Sequence, residues 1–164
     1  MTIDINCDVG EGIENEHLLM PHISSCNIAC GGHFGDEISI DKTIQLAIKN
    51  NVLIGAHPSF PDKENFGRKV MNLSKEQLQK SIENQLELFQ NRLNFVGQKL
   101  HHIKPHGALY NLIAVDKNVA KTFLKAIEKY RKEAFLYVPY NSIIEKLAIE
   151  KEAAGQEDNN RFIS

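Results

Sequence analysis

The stretch IDINCDVGEG, residues 3–12, reads as a β-strand that runs directly into a glycine-rich turn. Apolar and polar residues alternate along it, and this period of two is typical of a strand with one face in the core. The polar face carries Asn6 and Asp8, and the turn that follows contains Glu11 between two glycines. The stretch therefore predicts a strand that places a carboxylate at the end of a sheet.

Four further segments have the character of strands. They are rich in β-branched or aromatic residues, and each is followed closely by Gly or Pro. We predict strands over residues 25–30, 53–57, 100–106 and 134–138.

Segments of helical periodicity lie between the predicted strands. The first carries the apolar stripe Ile40, Ile44, Ala47 and Ile48. The second begins at Ser74, where Gln77 completes a capping-box pattern, and it ends at Gly97. Asp116 and Asn141 are predicted to cap two later helices. Strands that alternate with helices predict an α/β fold with a largely parallel sheet, either open and doubly wound or closed into a barrel.

Composition and charge are those of an ordinary soluble globular chain. The 164 residues carry a net charge of −2, with 42% hydrophobic and 24% charged residues. Basic residues are interspersed with acidic ones, which argues against a nucleic-acid partner. No apolar run approaches the ~18 residues of a membrane span, and the N-terminus lacks a signal-peptide pattern. We therefore expect a cytoplasmic protein with a small-molecule substrate and no membrane partner.

Familiar nucleotide-binding loops and cysteine pairs are missing from the sequence. Neither GxGxxG nor GxxxxGK[ST] occurs, so a self-contained dinucleotide or ATP site of the usual kinds is not predicted. The three cysteines, Cys7, Cys26 and Cys30, form no CxxC pair. Cys26 and Cys30 have the spacing of possible metal ligands, but they lie in an apolar run, and we interpret them as small hydrophobic residues.

Polar and glycine residues cluster where four predicted strands end. The polar ones are Asp8, His33, Asp36, His57, Lys104 and His106. In a βα barrel these strand ends form one rim, on which active sites are built. Strand alternation also puts Asn6 on the face of Asp8, and His102 on the face of Lys104. A carboxylate, an amine and two or three imidazoles would then converge, which suits acid–base catalysis or the binding of one divalent cation.

The remaining histidines and one long loop have less definite interpretations. His17, His22 and His101 lack a strand-end position, and we expect them to be surface or packing residues. Residues 60–69 form a loop that carries Arg68. This loop is either a solvated connection or an anion-binding segment, and the sequence leaves both open.

Four motifs in order resemble the LamB/YcsF family. They are NCDVGEG at residues 6–12, NIACGGH at 27–33 followed by Gly35-Asp36, GAHP at 55–58 followed by PD at 61–62 and FGR at 66–68, and KPHGALYN at 104–111. The likeness covers residues 2–148. It implies a seven-stranded, deacetylase-like βα barrel. It also implies ATP-dependent hydrolysis of 5-oxoproline to glutamate together with 5-oxoprolinase subunits B and C.

The resemblance further implies roles for individual residues. Asp8, His57 and His106 would serve as acid, base or metal ligands. Lys104 would stabilise developing negative charge. The residues that would bind substrate or orient the catalytic groups are Asn6, Glu11, His33, Asp36, Arg68 and Asn111. ATP would be a co-substrate of the complex, and a divalent metal at the catalytic residues is left open.

The likeness ends before the chain does. After residue 148 the family continues into a further strand, whereas residues 149–164 form a polar tail that does not match it. A complete βα barrel takes ~250 residues. We therefore expect residues 1–148 to form an incomplete barrel of about five βα units, with the first and fifth strands as unpaired edges.

Three functions are compatible with these patterns. The first is a 5-oxoprolinase subunit whose activity is impaired by truncation. The second is a metal-dependent carbohydrate or N-acyl deacetylase or amidohydrolase, which a stoichiometric divalent ion would favour. The third is a non-catalytic fragment that only binds partner subunits.

Overall fold

The computed structural model describes residues 3–154 and 162–163, in which strands and helices alternate. The strands are β1 (Asn6–Val9), β2 (Ser25–Ala29), β3 (Leu53–His57), β4 (His102–Ile103), β5 (Phe135–Tyr137) and β6 (Phe162–Ile163). The helices are α1 (Glu16–Leu19), α2 (Glu37–Lys49), α3 (Lys75–Phe95), α4 (Gly107–Val115), α5 (Lys117–Ala126) and α6 (Ile143–Ala154). Short 3-10 turns follow α1 at Met20–His22 and α5 at Glu128–Tyr130.

The six strands form one parallel sheet in the order β1-β2-β3-β4-β5-β6. This order is the arrangement of a βα barrel, because a doubly wound sheet reverses its strand order at a switch point. The predicted α/β fold with a parallel sheet of βα-barrel type is therefore confirmed. Within the described residues, β1 and β6 are the two edges of the sheet.

The structure differs from the sequence-based prediction at the fourth and fifth strands. β4 contains two residues instead of the seven predicted, because Pro105 cannot donate to a ladder and the chain enters α4 at Gly107. α4 itself was not predicted, since it is apolar around most of its circumference and shows no amphipathic period. The expectation that the fifth strand is an edge was wrong, because β6 pairs with β5.

Helix caps follow the predicted side chains with one exception. Ser74 and Gln77 form a capping box at the start of α3, and the Asp116 side chain accepts two backbone N–H groups at the start of α5. At α6 the Ser142 hydroxyl, instead of Asn141, accepts the backbone N–H three residues later at 3.2 Å. Asn141 has a φ of 55°, which places it in the preceding turn.

One hydrophobic core lies between the sheet and the helices. Its largest fully buried side chains are Phe60, Phe89, Phe123 and Met20. Burial of each such side chain contributes ~1.5–3 kcal/mol, so this core fixes the strands on which the polar residues stand. Burial also raises the pKa of Cys26 and Cys30 to about 12, which agrees with their interpretation as small apolar residues. Over residues 3–154 and 162–163, no helix is both long and apolar enough to cross a membrane.

Candidate active site

Most of the predicted site residues come together at the C-terminal ends of β1–β4. They are Asp8, Glu11, His33, His57, Lys104 and His106. Asp8 belongs to β1, His57 ends β3, and His106 is the N-cap of α4. Because parallel strands end at the same side of a sheet, residues far apart in the sequence converge there.

His57 and His106 face each other, and a backbone carbonyl holds each ring. His57 Nδ1 lies 2.7 Å from the carbonyl oxygen of Lys104, and His106 Nε2 lies 2.9 Å from that of Phe66. A carbonyl oxygen accepts only, so each of these nitrogens carries a proton. The remaining nitrogens, His57 Nε2 and His106 Nδ1, face each other across 3.0 Å. This arrangement requires a proton or a cation between the two nitrogens.

The environment of His106 disfavours its protonated form. Burial, together with the charges of His33 and His57, lowers the pKa of His106 to about 4. Its ring stacks on that of His33 with centroids 3.7 Å apart. At neutral pH His106 is therefore an uncharged imidazole, the form that binds a metal or accepts a proton.

Asp8 supplies the carboxylate of this group. Its Oδ2 lies 3.4 Å from His57 Nε2, and its Oδ1 accepts a hydrogen bond from Lys104 Nζ at 2.8 Å. Burial by itself raises the pKa of Asp8, but His57 and Lys104 outweigh it and hold the pKa well below its usual range. The carboxylate is thus ionised at neutral pH, and its side chain is 37% exposed, within reach of a ligand.

Glu11 and His33 form a second pair. Glu11 Oε1 lies 2.8 Å from His33 Nε2 and 3.4 Å from His106 Nδ1. Burial raises the pKa of Glu11, but the His33 hydrogen bond and the surrounding histidines lower it below the ordinary value. His33 Nδ1 is buried without a hydrogen-bond partner. A buried nitrogen lone pair without a donor costs less free energy than a buried N–H without an acceptor. The His33 proton therefore belongs on Nε2 and is donated to Glu11.

Among the residues that the structure describes, two sets of side chains have potential ligand atoms within 4.8 Å of one another: Asp8, His57 and His106, and Glu11, His33 and His106. The first set fits a divalent cation, because one nitrogen of each imidazole faces the common point while the other nitrogen donates to a carbonyl oxygen. This is how second-shell groups orient metal-binding histidines. The second set does not fit, because His33 Nε2 carries the proton that it donates to Glu11.

Beneath the cluster lies a polar layer whose central residue the sequence did not single out. Asn27 Nδ2 donates to Asp8 Oδ1 at 2.7 Å, and Asn27 Oδ1 lies 2.6 Å from His102 Nε2. The Asn6 amide bonds to Asn27 and Ser25, which favours an orienting role for Asn6 over substrate contact. The available signal was the presence of an amide in the middle of a fully buried strand.

Three predicted site residues lie outside the cluster. Asp36 is exposed and caps α2 through a backbone N–H at 2.9 Å, a structural role that accounts for its position. Asn111 is exposed on α4. Arg68 is exposed, with its guanidinium carbon 5.3 Å from the ring centre of Phe66. Phe66 meets the ring of His106 edge to face at 5.5 Å, so Arg68 is separated from the cluster by one aromatic ring.

The sheet and the cluster together define a class of protein: a βα-barrel protein with a carboxylate, histidine and lysine site at the C-terminal rim of its parallel strands. This chain belongs to the LamB/YcsF family, whose model matches residues 3–158. The matched region extends past residue 148, where we placed the end of the barrel from the sequence.

Individual relatives agree with this membership. The chain is 39% identical over 147 residues to the 5-oxoprolinase A subunit of Bacillus cytotoxicus, covering 87% of this chain and 58% of that protein. It is 41% identical over 146 residues to the 5-oxoprolinase A subunit of Bacillus cereus strain B4264, covering 86% of this chain and 58% of that protein. It superposes on the lactam utilization protein from Thermus thermophilus with a TM-score of 0.87 and 34% identity, covering 93% of this chain and 64% of that one. The chain thus spans less than two thirds of the length of these relatives.

Proposed function

We propose that this chain carries the hydrolytic site of a 5-oxoprolinase, as the A subunit of that enzyme, and opens the lactam ring of 5-oxo-L-proline to give L-glutamate. The observation that supports this most is the meeting of Asp8, His57 and Lys104 at the rim, in a chain similar to proteins of that name. ATP is the co-substrate in this proposal. Subunits B and C complete a cytoplasmic complex.

The first chemical requirement is a base for water. A lactam is a resonance-stabilised amide, so its hydrolysis needs an activated carbonyl group and a positioned nucleophile. In this proposal ATP supplies the activation and is hydrolysed to ADP and phosphate. His57 Nε2 lies 3.4 Å from Asp8 Oδ2, so a water bound beside these two atoms would lose its proton to the neutral form of His57. The Lys104 carbonyl fixes the ring in the required tautomer.

The second requirement is stabilisation of the tetrahedral intermediate. The Lys104 ammonium group lies 2.8 Å from Asp8 Oδ1, on a side chain that is 25% exposed and therefore reaches the rim. It would contact the oxygen on which negative charge develops. The ring nitrogen then leaves with the proton that His57 took from water, so that His57 returns to its starting state.

Substrate recognition is assigned to the rim. The exposed Arg68 guanidinium is suited to the carboxylate of 5-oxoproline, because a guanidinium binds a carboxylate through two parallel hydrogen bonds. Asn111 and Asp36 remain proposed contacts at greater distance from the cluster.

Alanine variants test the assignment. His57→Ala and Lys104→Ala, each in a complex reconstituted with subunits B and C, are expected to lower glutamate formation by roughly 100-fold or more. His22→Ala and Lys80→Ala are matched controls at exposed positions. Unchanged lactam hydrolysis by His57→Ala would refute the assignment. Assembly of the unaltered chain with subunits B and C without any turnover would indicate a binding role alone.

A second function is favoured by the facing ring nitrogens of His57 and His106. A divalent ion held by Asp8, His57 and His106 would supply Lewis-acid activation, as in a metal-dependent deacetylase or amidohydrolase. The discriminating measurement is hydrolysis of N-acetylated sugars and simple amides without ATP, before and after treatment with a chelator. Chelator-sensitive turnover without ATP would support this function, and strict dependence on ATP would support the first.

A further inference from the structure

Asn27 occupies a position where a polar side chain is costly unless fully paired. It lies in the middle of β2 with no exposed surface. Its Nδ2 donates to Asp8 Oδ1 at 2.7 Å and to Asn6 Oδ1 at 2.5 Å. Its Oδ1 lies 2.6 Å from His102 Nε2 and 3.2 Å from Asn6 Nδ2. All four hydrogen-bonding positions of the amide are therefore used.

The charge of Asp8 fixes the direction of every hydrogen bond in this layer. An ionised carboxylate accepts only, so Asn27 must present its NH₂ group to Asp8 and its oxygen to His102. His102 must then carry its proton on Nε2. His102 Nδ1 is left as an acceptor, and His101 Nδ1 donates to it at 2.9 Å. His101 was expected to be a surface or packing residue, and the structure shows it half-buried in this chain of bonds.

Packing prevents the His102 ring from leaving its position. A Cβ atom at Gly55 would lie 2.1 Å from His102 Nε2, so the ring fills the space that a glycine leaves on the neighbouring strand. On its other side the ring stacks on Tyr137 with centroids 4.2 Å apart. Burial, with the neighbouring charge of His101, lowers the pKa of His102 to about 3, so the ring is neutral at neutral pH. The layer is thus rigid and has one arrangement of protons.

We propose that Asn27 is the positioning residue of Asp8, holding its Oδ1 from beneath so that Oδ2 stays turned toward His57. This inference rests on the proposed function, in which Asp8 and His57 together hold the attacking water and therefore need a fixed geometry. Lys104 is the other donor to Oδ1, but it is a long, partly exposed side chain that would turn to the substrate during the reaction. Asn27 keeps the carboxylate in place when Lys104 turns away.

The first test is the variant Asn27→Leu, which is close to Asn in shape. Leu fills the space of the side chain, but it cannot donate to Asp8. In the reconstituted complex we expect kcat for lactam hydrolysis to fall roughly 10- to 100-fold with KM nearly unchanged, because the reacting geometry is lost while the rim is intact. Asn84→Leu, at an exposed position of α3, is the matched control and should behave as the unaltered chain. A folded Asn27→Leu variant with unchanged kcat would overturn the proposal.

The second test requires neither a variant at Asn27 nor turnover. Long-range ¹H–¹⁵N spectra of the histidine-labelled chain report the tautomer of His102, whose signals are identified by their loss in His102→Gln. We expect a protonated Nε2 and an unprotonated Nδ1. A proton on Nδ1 instead would mean that Asn27 turns its oxygen to Asp8, and the proposal would fail. Because this result is independent of activity, absence of lactam hydrolysis would count against the proposed function alone.

Discussion

His57 Nε2 and His106 Nδ1 lie 3.0 Å apart, and each histidine is held by the loop that carries the other. The carbonyl of Lys104, two residues before His106, receives the His57 N–H. The carbonyl of Phe66, in the loop after His57, receives the His106 N–H. This reciprocal bracing joins two loops 49 residues apart and fixes the orientation of both imidazole rings.

The bracing predicts metal binding. Zn²⁺ added to the purified chain is expected to bind at one ion per chain, because two imidazole nitrogens and one carboxylate already face a common point. His106→Ala and Asp8→Asn should each weaken binding by roughly 10-fold or more, since each removes a ligand. Isothermal titration calorimetry measures both quantities, with His22→Ala as the control at an exposed histidine. Equal affinity in His106→Ala and the unaltered chain would contradict the assignment.

Lys104→Met is predicted to raise the pKa of the Asp8 carboxyl group. Lys104 is one of the groups that lower this pKa, so removal of its charge lets it rise toward its ordinary value. A ¹³C NMR titration of the Asp8 carboxyl carbon compares the pKa in the variant and in the unaltered chain, with Lys80→Met as the control at an exposed lysine. An Asp8 pKa that is the same in Lys104→Met and in the unaltered chain would contradict this prediction.

Stability should fall on acidification in a way that depends on His102. The folded-state pKa of His102 is about 3 against an ordinary value of 6.5, so the unfolded chain binds more protons between these limits. The free energy of unfolding therefore decreases as the pH falls from 6.5 toward 3, by at most ~1.4 kcal/mol per pH unit from this group. His102→Gln should show a smaller loss, because its amide does not titrate. Urea unfolding at pH 7, 6 and 5 compares the two slopes, and identical slopes would refute the prediction.

Gly55→Ala is expected to destabilise the chain through crowding alone. The added methyl group would lie 2.1 Å from His102 Nε2, and overpacking of a core costs ~1–3 kcal/mol or more. Gly97→Ala is a control that adds backbone strain without crowding. Gly97 has a φ of 67°, but no atom lies within 4 Å of the new Cβ. That control should cost ~1–2 kcal/mol from its left-handed backbone. Thermal unfolding should give the lower midpoint for Gly55→Ala, and the reverse order would argue against a fixed His102 ring.

Much of the architecture could be read from local pattern. The alternation in residues 3–9 placed Asp8 on a polar strand face, and the capping box at Ser74 marked the start of α3. These features depend on residues within a few positions of one another, so the sequence carries them in full. The ends of β4 and the helix α4 were not predicted correctly. β4 is too short to show an alternation of polar and apolar residues, and α4 is too uniformly apolar to show a helical period.

The sequence by itself determined the α/β class, the family motifs and the placing of Asp8, His57 and His106 at strand ends. Tertiary structure alone decided which nitrogen of each histidine faces the site, that Asn27 lies under Asp8, and that Asp36 caps a helix away from the cluster. The physical reason is that proton positions and neighbours across strands are set by groups brought close by packing, at separations of 19 and 47 residues for Asn27–Asp8 and His57–Lys104. Residue type and spacing fix which groups are available, and the packed sheet fixes which of them meet.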